Sequence, residues 1–235
     1  GGTIKYDGFI SINEPFLTIA GQTAPSPGIT ISNGVISVET HDVLIQHIRV
    51  RQGDYEKGAV PDGRDAIQVV GNMANTLSVF IVIIDHCSVS WALDENMSTW
   101  RKGVSDVTFS NCVLAEGLSE SIHPKGEHSK GMLIGDHSKR IAVIRNLFAH
   151  NTQRNPETKG DVSDVIVNNL IYDPGSRVIH FYDKPKAGRI LSSVIGNTVI
   201  FGSSSTVKMP SVHVHRSVME GTRIYLADNL APGSN

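Results

Sequence analysis

One short phrase returns along the chain: a run of β-branched residues, a polar residue, then further apolar positions. It reads Val-Leu-Ile-Gln-His47, Val-Ile-Ile-Asp-His86, Val-Thr-Phe-Ser-Asn111 and Val-Ile-Arg-Asn146, then Val-Ile-Val-Asn-Asn169, Val-Ile-Gly-Asn197 and Tyr-Leu-Ala-Asp-Asn229. The aligned polar residues are 39, 25, 35, 23, 28 and 32 positions apart. An irregular period with a floor in the low twenties predicts the coils of a solenoid carrying loops of variable length. Each phrase is too short for a helix and too rich in Val and Ile for a loop, so it predicts strand. Second strands are predicted between the copies, over 65–70, 131–135, 178–182 and 211–215. If the strands bend at the polar residue and the coils stack, Asn111, Asn146, Asn169, Asn197 and Asn229 form a ladder, each amide bonding the backbone of the next coil. The competing reading makes the same residues simple turns between the strands of a sandwich.

Composition narrows the function classes more than the fold. The 235 residues suffice for one sizeable core or two small ones, and 40% hydrophobic with 19% charged residues is ordinary for a soluble protein. Lys and Arg number 21 against 23 Asp and Glu, a net charge of −2. A chain that grips a polyanion must then gather its basic residues in one place, and nucleic acid is not an expected partner. The longest apolar run, 79–84, is strand-sized, so no membrane span is expected. The opening Gly1-Gly2-Thr3 lacks an initiator Met and reads as a processed or trimmed chain, which makes a missing leader uninformative. Cys87 and Cys112 cannot build a disulfide framework. No linker or low-complexity stretch divides the chain, and Gly202-Ser-Ser-Ser-Thr206 reads as a loop. One domain over 1–235 is expected, and the reading allows for a missing N-terminal cap, since a solenoid needs its end covered and Gly1 starts almost inside a strand.

Four stretches carry a resemblance. They are Leu17-Thr-Ile-Ala-Gly-Gln-Thr-Ala-Pro25, Ile84-Asp-His-Cys-Ser-Val-Ser-Trp91, Lys130-Gly-Met-Leu-Ile-Gly135 and Asn146-Leu-Phe-Ala-His-Asn-Thr-Gln-Arg-Asn-Pro156. In this order the chain resembles the pectate lyases, polysaccharide lyases that cut acidic plant polysaccharide by β-elimination, from about residue 3 to about residue 160. The resemblance implies an all-β fold, a right-handed parallel β-helix, and a secreted or periplasmic monomer acting on polygalacturonate-like chains with Ca2+. Elimination from a uronate needs a sink for charge on the C6 carboxylate, a base for the weakly acidic C5 proton, and a departing O4. Cations placed at the carboxylate stabilise the enolate-like transition state.

The resemblance assigns the base to Arg154, in Arg154-Asn155-Pro156. A guanidinium is an awkward base because its pKa lies above about 12, but neighbouring cations and alkaline pH both favour the neutral form. Lys130, just before Met132-Leu133-Ile134-Gly135, matches a lysine that contacts the substrate carboxylate. Lys159 stands where the family usually has a second arginine, which keeps the charge but loses bidentate recognition. For Ca2+ the resemblance points to Asp65 and Asp94, with Ser98 where a third Asp is common and Glu95 or Asp62 able to supply further oxygens. The structural alternatives are ordinary: a loop arginine paired with an acid, a solvated lysine, and acids capping strand ends.

Other polar residues invite weaker readings. Asp85 and His86 are adjacent on a strand and should face opposite ways, so no relay between them is expected, and His86 reads as a ladder position filled by imidazole. His123 and His128 precede Lys130 and could border the groove, but they lack a third zinc ligand close in sequence. His213 and His215 share a strand face without an evident partner. Cys87 and Cys112, each just after a ladder position, fit stacked thiols better than a disulfide. Two other functions stay open: a glycoside hydrolase on the same scaffold, for which Asp94 and Glu95 are the only close acid pair, and a non-catalytic carbohydrate-binding β-helix, which Lys159 and Ser98 favour.

Overall fold

The computed structural model describes residues 1–72, 78–183, 188–206 and 209–232. Its 24 strands fall into three sheets of eight, every pairing parallel, and the chain visits the three sheets in turn on each coil. This is a right-handed parallel β-helix, the hand that parallel crossovers adopt. We call the sheets leading, middle and trailing, after the order within a coil. The middle sheet contains Phe9–Ile12, Val35–Val38, Ile67–Val70, Glu95–Trp100, Lys130–Ile134, Glu157–Lys159, Ile179–Tyr182 and Val212–Val214. The expected second strands lie in it.

The period-2 alternation of the strands supplies the core. In the trailing sheet Ile45, Ile84, Phe109, Val143, Ile166 and Val194 are in register on successive coils, and all are fully buried. Residues between them face outward, so each coil contributes one rung to a continuous apolar column.

The asparagine ladder exists, but it starts later than the phrase suggests. Register places Cys87, Cys112, Asn146, Asn169, Asn197 and Asn229 in one column, because Ser88, Val113, Leu147, Leu170 and Thr198 align. Asn169 Oδ1 accepts from the Asn146 backbone N–H at 2.9 Å and from its Nδ2 at 3.1 Å, while Asn169 Nδ2 donates to the Val143 carbonyl at 2.9 Å. Asn197 and Asn229 repeat the pattern. His47, His86 and Asn111 sit one residue earlier, at the corner, in line with Arg145, Asn168, Gly196 and Asp228. All seven have positive φ, between 52° and 66°. A left-handed corner and a ladder rung both suit Asn, and the two positions are adjacent, so the phrase drifts from one to the other between 111 and 146.

Two consequences correct the sequence reading. His86 is a corner residue, not a rung, and its φ of 52° swings Nδ1 to 2.7 Å from Asp85 Oδ2. Alternation does not hold across a left-handed turn. Asp85 also accepts from Gln46, Ser110 and Asn111, and these donors with His86 outweigh burial and hold its carboxyl far below the usual range. Cys87 and Cys112 occupy the first rungs as free, buried thiols, with the Cys87 N–H 3.4 Å from Cys112 Sγ.

Candidate functional site

Acidic and basic residues concentrate where middle-sheet strands begin. Asp65 lies two residues before Ile67–Val70, Asp94 immediately precedes Glu95–Trp100, and Lys130 opens Lys130–Ile134. Stacking places Glu95 beside Lys130 and Lys130 beside Gln153 on the next coil. Arg154 follows with φ 61°, and its carbonyl accepts the Met132 N–H at 2.7 Å. That approach needs a glycine at 131, since a Cβ there would lie 2.5 Å from the Arg154 carbonyl oxygen. The guanidinium reaches back to Glu95, pairing Nη1 with Oε1, while Nε is 3.7 Å from Glu157 Oε1.

Asp65, Asp94, Glu95, Ser98, Arg154 and Lys159 line one cavity of about 310 Å³, with Trp100 and Leu133 among its walls. A wider hollow of about 720 Å³ shares Asp62, Gly63, Gln68 and Trp100 with it and extends it towards Phe9 and Arg101. The loops before Ile67–Val70 and Lys130–Ile134 meet above the cavity, where Lys125 pairs with Asp62 and the Ile122 N–H donates to Asp54 at 3.1 Å.

The environments of the two aspartates push them apart. Burial drives the Asp65 carboxyl well above its ordinary range, reinforced by the nearby charge of Asp94 and only partly opposed by the Ser98 hydroxyl and Arg154. Burial acts on Asp94 too, but there a hydrogen bond from His128 Nε2 at 2.7 Å, the charge of His128 and that of Arg154 prevail and hold the carboxyl low. Glu157 is likewise held low against its burial by His180, whose Nδ1 is 2.8 Å away, and by Arg154. Oxygen atoms of Asp65, Asp94 and Glu95 lie within 4.8 Å of one another. Hard oxygen donors this close, one of them with its proton affinity raised chiefly by burial, fit a divalent cation of the Ca2+ or Mg2+ type.

Four of the five residues expected from the sequence therefore share one cavity: Asp65, Asp94, Arg154 and Lys159. The Lys159 ammonium sits over the Trp100 ring, 5.5 Å from its centroid. Lys130 is on the same stack of coils, but its buried ammonium donates to Gln153 Oε1 at 3.2 Å and it is not a lining residue. Burial lowers its proton affinity, against a partial offset from Glu157. Asp94 and Glu95 both line the cavity, because Asp94 precedes the strand and is not bound by its alternation. The sequence reading missed His180 as the partner of Glu157, although the two lie one coil of 23 residues apart, like many other stacked pairs.

No protein-family model matches the chain. Curated relatives do. A probable pectate lyase C of Aspergillus fumigatus is 34% identical over 209 residues, which cover 88% of this chain and 44% of the relative. Over this span the chain is similar to proteins named probable pectate lyase C. Probable pectate lyase C from Aspergillus terreus is 33% identical with the same coverage, and that from Emericella nidulans is 32% identical over 88% of this chain and 43% of the relative. The chain spans a little under half the length of these curated relatives.

Proposed function

We propose that this pectate lyase homologue cleaves polygalacturonate-like chains by Ca2+-assisted β-elimination, with Arg154 as base. The observation that carries the reading is the convergence of Arg154 and Lys159 with the Asp65–Asp94–Glu95 carboxylates in one cavity on the outer face of the middle sheet. Asp65, Asp94 and Glu95 would hold the cation, which when bound supplies positive charge against a substrate carboxylate. Lys159 places a second positive charge over Trp100, and Lys130 lies one coil from Arg154 as a further candidate for carboxylate contact once released from Gln153. Arg154 takes the C5 proton, the electron pair forms the C4–C5 double bond, and O4 departs and is protonated by water. The product carries a 4,5-unsaturated uronate at its new non-reducing end.

The hollow continuing the cavity towards Phe9 suits a chain substrate laid across several coils. We assign the acidic polysaccharide as the partner, a monomer as the working unit and a secreted or periplasmic location. Among the described residues no helix is long and apolar enough to cross a membrane. One observation favours the non-catalytic alternative: the Arg154 guanidinium is engaged by Glu95. The hydrolase reading is disfavoured because Arg154 and Lys159 bring cationic groups into the carboxylate cluster, which elimination uses and two-carboxylate hydrolysis does not. Ultraviolet absorbance of the unsaturated product, followed with polygalacturonate and ample Ca2+ at alkaline pH, decides. Binding without absorbance assigns the chain to the non-catalytic class.

A further inference from the structure

Two imidazoles that the elimination does not use lie against Asp94, on the loop between Val113–Ala115 and Lys130–Ile134. His128 Nε2 is 2.7 Å from Asp94 Oδ1, and His123 Nε2 is 3.8 Å from the same oxygen. The rings stack with centroids 3.8 Å apart and planes inclined by 21°, so both Nε2 atoms are presented to one carboxylate. Both residues are buried, at 3% and 6% exposure, and His123 Nε2 has no hydrogen-bond partner. Asp62 Oδ1 is nearer than Asp94, at 3.5 Å, still beyond hydrogen-bonding geometry. A buried ring nitrogen left without a partner is uncommon in a folded protein and points to a missing ligand.

We propose that Asp94, His123 and His128 bind a transition-metal ion of the Zn2+ class, with Asp62 or a water in the fourth position. Donor chemistry separates this site from the oxygen-only cluster of Asp65, Asp94 and Glu95. Two imidazoles and a carboxylate select zinc-like ions, whereas Ca2+ takes oxygens alone. Tetrahedral bonds of about 2.0–2.1 Å place neighbouring donor atoms roughly 3.3 Å apart. The 2.7 and 3.8 Å separations bracket that value, so small side-chain shifts admit the ion.

Loading shifts the imidazole protons. Ligation through Nε2 requires the His128 ring to be neutral with its hydrogen on Nδ1, so any hydrogen on Nε2 shared with Asp94 moves to Nδ1 or passes to solvent. His123 must also carry its proton on Nδ1, where the Lys125 N–H now donates at 3.2 Å, so that bond is lost. One neutral hydrogen bond is worth roughly a tenth of what a structural zinc site contributes. The ion would tie the overhanging loop to Asp94 and give that carboxylate two metals to serve.

Zn2+ binding is read directly and is independent of lyase activity. Chelator-stripped protein is titrated calorimetrically with Zn2+, and Co2+ is added separately for its visible spectrum. The expected result is one ion per chain, with the strong visible bands of tetrahedral cobalt. His123→Gln and His128→Gln should each weaken Zn2+ binding by about 100-fold, while Asp65→Asn leaves it within a few-fold. Circular dichroism checks that each variant is folded, and a Zn2+-induced rise in thermal midpoint should be confined to proteins with both histidines. Wild-type binding that survives both histidine substitutions overturns the site by locating the ion elsewhere, such as at His180 and His213. No binding at millimolar Zn2+ overturns it outright.

Discussion

Asp164 should make this β-helix less stable as pH rises through the weakly acidic range. Its side chain points into the core between Ile141 and Ser192 on neighbouring coils, where the Thr158 hydroxyl donates to Oδ2 at 2.6 Å and the Ser192 hydroxyl to Oδ1. Burial lifts its pKa from 3.8 to about 6, and the two hydroxyls offset only part of that. Well below 3.8 the carboxyl is neutral in both folded and unfolded chains. Between 3.8 and about 6 the unfolded chain releases the proton and the folded one retains it. Stability therefore falls through this window and is level above it. At about 1.36 kcal/mol per pH unit the loss is about 3 kcal/mol. Asp164→Asn keeps the volume and gives the two hydroxyls an amide to bond, but cannot ionise. Other carboxylates titrate alike in both proteins, so the difference between their denaturant-derived stabilities isolates this group. That difference should move in the variant's favour by about 2 kcal/mol between about pH 4 and pH 7. A flat difference curve would refute the reasoning by showing that the folded interior does not resist the charge.

Two further outcomes follow from the ladder and the carboxylate cluster. Asn169→Ala removes the acceptor for the Asn146 N–H and Nδ2 and leaves buried donors unpaired, so urea unfolding should show a loss of about 2–4 kcal/mol, unlike an exposed Asn→Ala control. Asp65 carries a raised pKa and must lose its proton to ligate a cation, so Ca2+ affinity should rise with pH and binding should release protons. Calorimetry in buffers of different ionisation enthalpy measures that release, and Asp65→Asn should abolish it.

The coil structure was legible because β-branched runs of strand length recur at a spacing no shorter than one turn of a solenoid. The register of the ladder was not. Asn111 and Asn146 look equivalent, yet one is a left-handed corner and the other a rung, and only pairing to the neighbouring coil distinguishes them. The contact between Asp85 and His86 was hidden for the same reason: a positive φ reverses the side-chain direction that strand alternation predicts. Motif position alone named Asp65, Asp94, Arg154 and Lys159, and the coil stack, which turns residues remote in sequence into neighbours, places them around one cavity. The direction of Lys130 was not readable, because it depends on Gln153 one coil away and on the close approach of Arg154 over Gly131. The engagement of Arg154 by Glu95, two coils back, likewise has no signature in the local sequence.

The central claim is that Arg154 abstracts a proton in a cavity whose acids hold a cation. The direct measurement is the initial rate of unsaturated-uronate formation from polygalacturonate with saturating Ca2+, for wild type, Arg154→Lys and Arg154→Ala, alongside Ca2+ and substrate affinity. Loss of a positioned base should cut turnover by about 100- to 10,000-fold in both variants, with folding retained and Ca2+ affinity not weakened, since Arg154→Ala frees Glu95. Turnover that survives in Arg154→Ala would contradict the account.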